Sequence, residues 1–141
     1  MSVPEICEKL KSDPRMMLYP PAFDSEIRAF EKECLPCGLP VSLSELLRQF
    51  DGGELFVPGT TIHGIKKRGR ELSLSEVNNE FFQSLIGRPD RYLIFATMNF
   101  GDMLLIDRIT ERILQYDHET GEIFCSWPSL ENWLACTLKE E

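Results

Sequence analysis

Four short β-type runs follow one another in the second half of the chain, with only turns between them. The runs cover residues 91–97, 103–107, 112–116 and 123–125. Two parallel strands need a crossover connection of about a dozen residues or more, and none of the intervening segments is that long. Neighbouring runs must therefore pair antiparallel, as consecutive hairpins of one sheet.

A further hairpin and several helices are predicted around these strands. Residues 54–57 and 60–65 are short β-type runs on either side of Pro58-Gly59, a pair that favours a tight turn. Apolar residues at helical spacing predict one short helix before the Pro20-Pro21 hinge and another between that hinge and Pro36.

Two helix starts are marked by the Ser-x-x-Glu pattern, in which the Ser and Glu side chains cap each other's backbone N–H groups. The pattern occurs at Ser42 with Glu45 and at Ser73 with Glu76, and a last helix is predicted to begin near residue 129. The Ser42 helix is predicted to end at Gly52-Gly53, because glycine readily adopts the left-handed conformation that terminates helices.

Together these elements predict an α+β fold. We expect a single domain over residues 1–141, in which an antiparallel sheet of about six strands is flanked by about four to five helices. Residues 1–21 are predicted to form an N-terminal helix and a Pro-rich hinge, and residues 22–141 the core. The chain is 43% hydrophobic and 27% charged, as is typical of a protein that folds around its own core.

The sequence predicts a cytoplasmic protein with no membrane partner. No stretch reaches the roughly 20 apolar residues of a membrane-spanning helix, and the first residues lack the basic-then-apolar order of a signal peptide. The five cysteines are an odd number, and without a secretion signal we expect reduced thiols rather than disulfides.

The acidic balance of the chain bears on its partners. The formal net charge is -8 at pH 7, which disfavours direct nucleic-acid binding and attracts basic proteins. Solubility alone explains such a charge equally well. The one basic run, residues 66–70, is short and is interpreted as a solvated loop.

The ordered set of motifs resembles the SUKH superfamily, the Smi/Knr-type domain of bacterial toxin-immunity proteins and fungal cell-wall regulators. The motifs are Leu39-Pro40 before a helix, Gly52-Gly53 after it, Phe95-Ala96 in a strand, Gly101-Asp102 in the next turn, and a closing helix opened by residues 129–133. The resemblance covers residues 24–138. It implies a SUKH-like fold and a non-enzymatic, adaptor-like domain.

The resemblance also implies a function. The commonest bacterial role of such domains is to bind and neutralise a cognate toxin, and an acidic domain suits a toxin with a basic domain, such as a nuclease. The alternative is a regulatory or scaffold domain of the cell-wall-regulator type with several weaker partners. We expect a protein partner, no cofactor, and a monomer or weak dimer.

The resemblance directs attention to two turns. Structural roles are expected for the residues that make them: Gly52, Gly53, Gly101 and Asp102. Glycines supply backbone angles that other residues avoid, and an Asp in a turn accepts hydrogen bonds from backbone N–H groups. Partner contacts are expected from neighbouring side chains that are predicted to be exposed: Asp51, Glu54, Phe56, Asn99, Phe100 and Asp107.

Phe100 is the sharpest of these candidates. An aromatic ring at the tip of a turn is either an anchor for a partner or a lid on the domain's own core. The sequence favours neither interpretation over the other.

No catalytic set or metal site is predicted. Cys34 and Cys37 have the spacing of a redox pair, but they lie at the C-terminal end of a helix, whereas the N-terminal end activates thiols. A thiol or metal protein using this pair is the least favoured alternative. Neither His63 nor His118 has a partner at a catalytic spacing, and His118 with its flanking acids at 117 and 119 is interpreted as a polar hairpin tip rather than a cation site.

Overall fold

Strand order in the sheet follows the order of the chain. The computed structural model describes residues 2–34, 38–55, 59–69, 71–85 and 91–139. Within them one sheet has seven strands, each antiparallel to its neighbours in the order β1-β2-β3-β4-β5-β6-β7. The strands are β1 Met17–Leu18, β2 Gly53–Leu55, β3 Thr60–Ile62, β4 Tyr92–Met98, β5 Met103–Asp107, β6 Ile113–Tyr116 and β7 Ile123–Trp127.

Five helices accompany this sheet in the described part of the chain. They are α1 Val3–Lys11, α2 Asp24–Cys34, α3 Val41–Gln49, α4 Leu74–Leu85 and α5 Leu130–Lys139. The predicted α+β class and antiparallel pairing are confirmed, with seven strands in place of about six. The additional strand is β1, which lies in the segment predicted to be only a helix and a hinge, and which pairs with β2.

The first face of the sheet carries the larger core. We define the first face by the inward strand residues Leu55, Ile62, Leu93, Phe95, Leu104, Ile106 and Ile113. Helices α1, α2, α3 and α5, together with Leu74 at the start of α4, contribute buried side chains to the same cluster. Phe95 meets Trp133 of α5 edge to face, with ring centroids 5.4 Å apart. The N-terminal helix belongs to this core, since Val3, Ile6 and Leu10 are buried in it.

The second face carries a smaller core. Successive strand residues point to opposite faces, so Ile94, Met103, Leu105 and Tyr116 form a separate cluster, which Val77 of α4 joins. Because β4 and β5 are buried on both faces, their sequences are almost continuously apolar.

Asn78 fixes α4 to the second face. Its side-chain amide donates to the carbonyl of Ile94 (2.8 Å), and its oxygen accepts the N–H of the same residue (2.9 Å). Pairing between β3 and β4 ends at Ile62 with Ala96, so this stretch of β4 lies beyond the β3 ladder. The side chain thus satisfies a buried backbone group and sets where α4 lies over the sheet.

One of the two predicted capping boxes is confirmed. Glu76 accepts the N–H of Ser73 (2.9 Å), and Ser73 accepts the N–H of Glu76 (3.2 Å), at the start of α4. The box at Ser42 and Glu45 is wrong, because α3 already begins at Val41 and has no side-chain cap of its own.

Glu111 of the β5–β6 turn caps α3 instead. Its carboxylate accepts the backbone N–H (3.0 Å) and the hydroxyl (2.6 Å) of Ser42. The N–H groups of a helix's first turn lack partners within the helix, and a negative charge there is favourable. This contact joins residues that are 69 positions apart in the chain.

The β5–β6 turn, which holds Glu111, and the β6–β7 turn have the same conformation. In both turns an Asp side chain, Asp107 or Asp117, accepts the N–H groups two and three residues later. The fifth residue of both turns has a left-handed backbone, with φ of 60° at Glu111 and 75° at Gly121. Glycine tolerates this conformation, whereas Glu111 adopts it at a cost of about 1–2 kcal/mol and uses its side chain as the cap.

Substitutions at Glu111 separate the cap from the backbone strain. Glu111→Ala loses the carboxylate and keeps the strained backbone, so the free energy of unfolding should fall by about 1–2 kcal/mol in urea denaturation. Glu111→Gly loses the same carboxylate but relieves the strain, and it should be about 1 kcal/mol more stable than the Ala variant. Gly121→Ala in the β6–β7 turn is the control for strain without a cap. Equal stability of the two Glu111 variants would contradict this account.

Candidate functional site

Asp51 was predicted to be exposed, and that prediction is wrong. The residue is 1% exposed. Its carboxylate accepts the backbone N–H groups of Ile65 (2.7 Å) and Lys66 (3.2 Å) and contacts the guanidinium of Arg68 (3.4 Å). Asp51 therefore holds the segment that leaves β3, and its charge is used inside the protein.

The predicted exposure of Asp107 is wrong for the same reason. The side chain is buried and accepts the N–H groups of Ile109 (2.8 Å) and Thr110 (3.2 Å) and the Nε–H of Arg91 (3.0 Å). Burial alone would raise the pKa of Asp107, but these hydrogen bonds and the Arg91 charge hold it below its usual value. Asp107 fixes its own turn.

Gly52 and Gly53 do not end α3, contrary to prediction. The helix already ends at Gln49. Gly52 has a φ of 83°, and a Cβ there would lie 2.6 Å from the carbonyl oxygen of Ile62. A Cβ at Gly53 would collide with the carbonyl of Met17 in β1. The glycines thus let neighbouring backbones approach closely at the edge of the sheet.

Asp102 and Gly101 form one unit with the β6–β7 turn. The buried Asp102 carboxylate accepts from Nδ1 of His118 (2.7 Å), from its backbone N–H (3.3 Å) and from Nε2 of Gln115 (3.2 Å). Gly101 has a φ of 105°, and a Cβ there would lie 2.9 Å from the His118 ring. The hydrogen bond with Asp102 raises the pKa of His118, despite partial desolvation.

His63 is buried on the second face. The carbonyl of Leu72 can only accept, so Nδ1 of His63 carries the proton and donates to it (2.7 Å), while Nε2 accepts from the hydroxyl of Thr97 (2.9 Å). Burial lowers the pKa of His63. The ring is therefore neutral near pH 7 and has both nitrogens occupied.

The residues that remain exposed cluster around one groove. Glu54 is partly exposed, Asn99 is exposed, and the side chain of Phe100 is 57% exposed. Such exposure excludes a ring that closes the core as a lid. Phe56, the other predicted contact, lies outside the described residues.

The groove opens on the second face, between β3 and β4 and the start of α4, and has a volume of about 400 Å³. We call it the second-face groove. It is lined by Thr61, His63, Glu71, Leu72, Val77, Thr97, Gly101 and Met103. Gly101 places the Phe100 turn at one end of the groove, and the pairing of Thr61 with Glu54 places β2 at its side.

Sequence reasoning missed most of this groove. The sequence predicts Thr61 and Thr97 only as strand residues and predicts no role for Glu71. The predicted hairpin around Pro58-Gly59 is the available signal, because pairing of its strands puts Thr61 opposite Glu54 and on the same face. The contribution of Glu71 has no local signal, since it depends on how the loop before α4 returns to the sheet.

Two acidic side chains, Glu54 and Glu71, lie at the side of the groove. Burial and the nearby charge of Glu54 raise the pKa of Glu71, and a hydrogen bond from Tyr19 only partly opposes this. Arg68 stacks on Tyr19, with its guanidinium carbon 4.9 Å from the ring centroid, but its charge faces the buried Asp51.

Asp102, Asp117 and His118 are close enough to share a metal ion, with ligand atoms within 4.8 Å of one another. These atoms already have hydrogen-bond partners. Asp117 accepts the N–H groups of Glu119 and Thr120, and Asp102 accepts from His118. The arrangement is that of a hydrogen-bonded hairpin tip.

The reactivity of a cysteine thiol depends on its burial. Cys7 is buried in the first-face core, and burial raises its pKa to about 11, so its thiol is protonated and unreactive. Helix α2 ends at Cys34, and Cys37 lies outside the described residues. A redox or metal role for this pair therefore stays a prediction.

No helix among the described residues is long and apolar enough to cross a bilayer.

Comparison with known proteins shows that most of the chain matches one protein family. The model of the SMI1 / KNR4 family (SUKH-1) matches residues 21–136, which confirms the resemblance drawn from the sequence. The match contains β2 to β7 and begins after α1 and β1. No curated protein matches the chain.

Substitution of Asp51 should lower the free energy of unfolding much more than substitution of Glu54, although the two residues flank the same glycine pair. Asp51→Asn replaces an acceptor oxygen by an NH₂ that faces other donors, so the free energy of unfolding should fall by about 2–3 kcal/mol in chemical denaturation. Glu54→Gln, which changes a partly exposed group, should stay within about 0.5 kcal/mol of the native chain. Similar losses for both would contradict the internal role of Asp51.

The two histidines should titrate on opposite sides of the usual value of about 6.5. His118, with its raised pKa, stabilises the fold at low pH, and this contribution disappears as the pH rises through its folded pKa. His63, with its lowered pKa, resists protonation, and its contribution is lost as the pH falls below about 6.5. NMR titration of the ring protons gives both values. Asp102→Asn should lower the pKa of His118 and leave that of His63 unchanged; an unmoved His118 would disprove the pairing.

Proposed function

Because the chain belongs to the SMI1 / KNR4 family (SUKH-1), we propose that it is an immunity protein that binds a cognate bacterial toxin and neutralises it by occupying its surface. Domains of this family are generally non-enzymatic binding domains of the immunity or cell-wall-regulator type, and the family is associated with protein partners. The toxin and its neutralisation are our proposal for this chain.

The observation that carries the proposal is the exposed surface around the second-face groove. An aromatic ring stands at one end of it, at Phe100, and two carboxylates, Glu54 and Glu71, stand at its side. Aromatic side chains, phenylalanine among them, are enriched at the centres of protein interfaces. Acidic groups beside such an anchor favour a basic partner, because complementary charge speeds association and rejects wrong partners.

The overall charge supports the same class of partner. A net charge of -8 attracts a basic toxin domain over distances of about a Debye length, roughly 8 Å in physiological salt. Many toxins that act on nucleic acids must themselves be basic, since they bind phosphate backbones. A nuclease toxin domain therefore fits this surface well.

Neutralisation of an identified partner tests the proposal. The tagged protein should capture one stoichiometric partner with a basic domain from its own cells in low salt, and less of it in high salt. That partner expressed alone should arrest growth, and co-expression with this chain should restore it. Several weak partners without toxicity would favour the regulatory alternative. Bound metal or thiol turnover would instead favour the pair at Cys34 and Cys37.

Phe100→Ala tests the anchor. The ring is more than half exposed, so its loss should change the free energy of unfolding by less than about 1 kcal/mol, whereas a central anchor is worth about 2 kcal/mol or more of binding, roughly 30-fold in Kd. Ile109→Ala is the matched control, because it removes a 73% exposed apolar side chain from a turn at the opposite end of the strands. Calorimetric titration with the captured partner measures both. Unchanged affinity for Phe100→Ala would remove this residue from the interface.

A further inference from the structure

We propose that the second-face groove receives a single lysine or arginine side chain of the partner protein, with its aliphatic stem against Leu72, over the floor formed by Val77 and Met103, and its cationic head beside Glu54 and Glu71. This proposal rests on the proposed function in one respect, namely that the partner is a protein. It adds the place of contact and the chemistry of recognition.

The carboxylates of Glu54 and Glu71 reach the groove from different elements of the fold. Glu54 of β2 lies directly opposite Thr61 of β3, and Thr61 lines the groove. Glu71 lines the groove from the loop before α4. Their charges are close enough for Glu54 to raise the pKa of Glu71, so the two carboxylates repel each other. A cation placed beside both would turn this repulsion into attraction.

The nearby cations among the described residues, Lys66, Lys67 and Arg68, form their ion pairs with carboxylates other than Glu54 and Glu71. Arg68 faces Asp51, which is buried beneath it. Lys66 pairs with Glu26 (2.8 Å), and Lys67 pairs with Glu76 (3.1 Å). His63 at the groove wall is neutral, since burial lowers its pKa and both of its nitrogens have partners. Since no lysine or arginine of the described residues forms an ion pair with Glu54 or Glu71, a partner's cation can pair with these two carboxylates.

The walls of the groove suit a long side chain with a polar end. Leu72 is a partly exposed apolar wall of the groove, and Val77 (0% exposed) and Met103 (5% exposed) close the floor beneath it. Lysine and arginine place their methylene stems on apolar surface and keep the charge at the tip. A purely apolar side chain would leave Glu54 and Glu71 facing each other, whereas an acidic one would be repelled. A second copy of this chain is a poor occupant, because two bodies of charge -8 repel.

Side-chain analogues test the groove without any toxin. Butylguanidinium carries the head and stem of arginine, and pentanol has a similar stem and no charge. In ¹H–¹⁵N spectra, butylguanidinium should shift the amide signals of Thr61, Leu72 and Gly101 saturably, at millimolar concentration. Pentanol should bind at least about tenfold more weakly, since it lacks the ion pair.

Variants of the carboxylates complete the test. Glu54→Gln with Glu71→Gln should weaken butylguanidinium binding by about tenfold or more, because the charges that hold the head are gone. Glu45→Gln on α3 removes one partly exposed carboxylate away from the groove and should leave binding unchanged. The double variant should fold at least as stably as the native chain, because it removes a repulsion, and its melting temperature checks this. Equal binding by the double variant, or equal binding of pentanol, would overturn the proposal.

The two proposals fail separately. Analogue binding that depends on the carboxylates supports the groove even if no toxin is captured. A captured toxin that the Glu54 and Glu71 double variant still neutralises at native affinity would overturn the groove and leave the immunity function standing. In the expected result, the double variant loses affinity for the toxin by about tenfold or more and the Glu45→Gln control does not.

Discussion

The central strands β4 and β5 must be covered on both faces, and much of the rest of the structure follows from this requirement. Their side chains alternate between two apolar clusters, so neither face can be left to water. Helices α1, α2, α3 and α5 and Leu74 of α4 contribute to the cluster on the first face, while the described helical contribution to the second-face cluster is Val77 of α4. Asn78 fixes that helix to the backbone of Ile94, and the second-face groove lies where its N-terminal end meets the strands.

Three of the chain's 23 acidic side chains are used internally. Asp51, Asp102 and Asp107 are buried, and each accepts backbone N–H groups that fix a turn or loop. Their charges contribute to the net value of -8 but offer no atom to a partner. The acidity available for binding is therefore smaller and more localised than the sequence total indicates, and Glu54 and Glu71 at the groove are a distinct part of it.

The candidate site was only partly predictable. The turn containing Phe100 was located from its Gly-Asp motif, and its exposure matches the expectation for a residue at a turn tip. Asp51 and Glu54 flank the same glycine pair and look alike in sequence, yet one is buried and the other is partly exposed. Their difference arises because the segment after β3 folds back over Asp51 and supplies the N–H groups of Ile65 and Lys66.

The sequence by itself determined the class of fold, the antiparallel pairing of the later strands and the start of α4, because periodicity, short connections and the Ser73 cap act within a few residues. Only the tertiary structure decided which carboxylates are buried, that β1 joins the sheet, and that Glu111 caps a helix far away in the chain. These features depend on segments brought together by the packing of both sheet faces. The groove, too, was decided only by the tertiary structure, since its walls come from β3, β4, β5, α4 and the loop before α4, which are separate in the sequence.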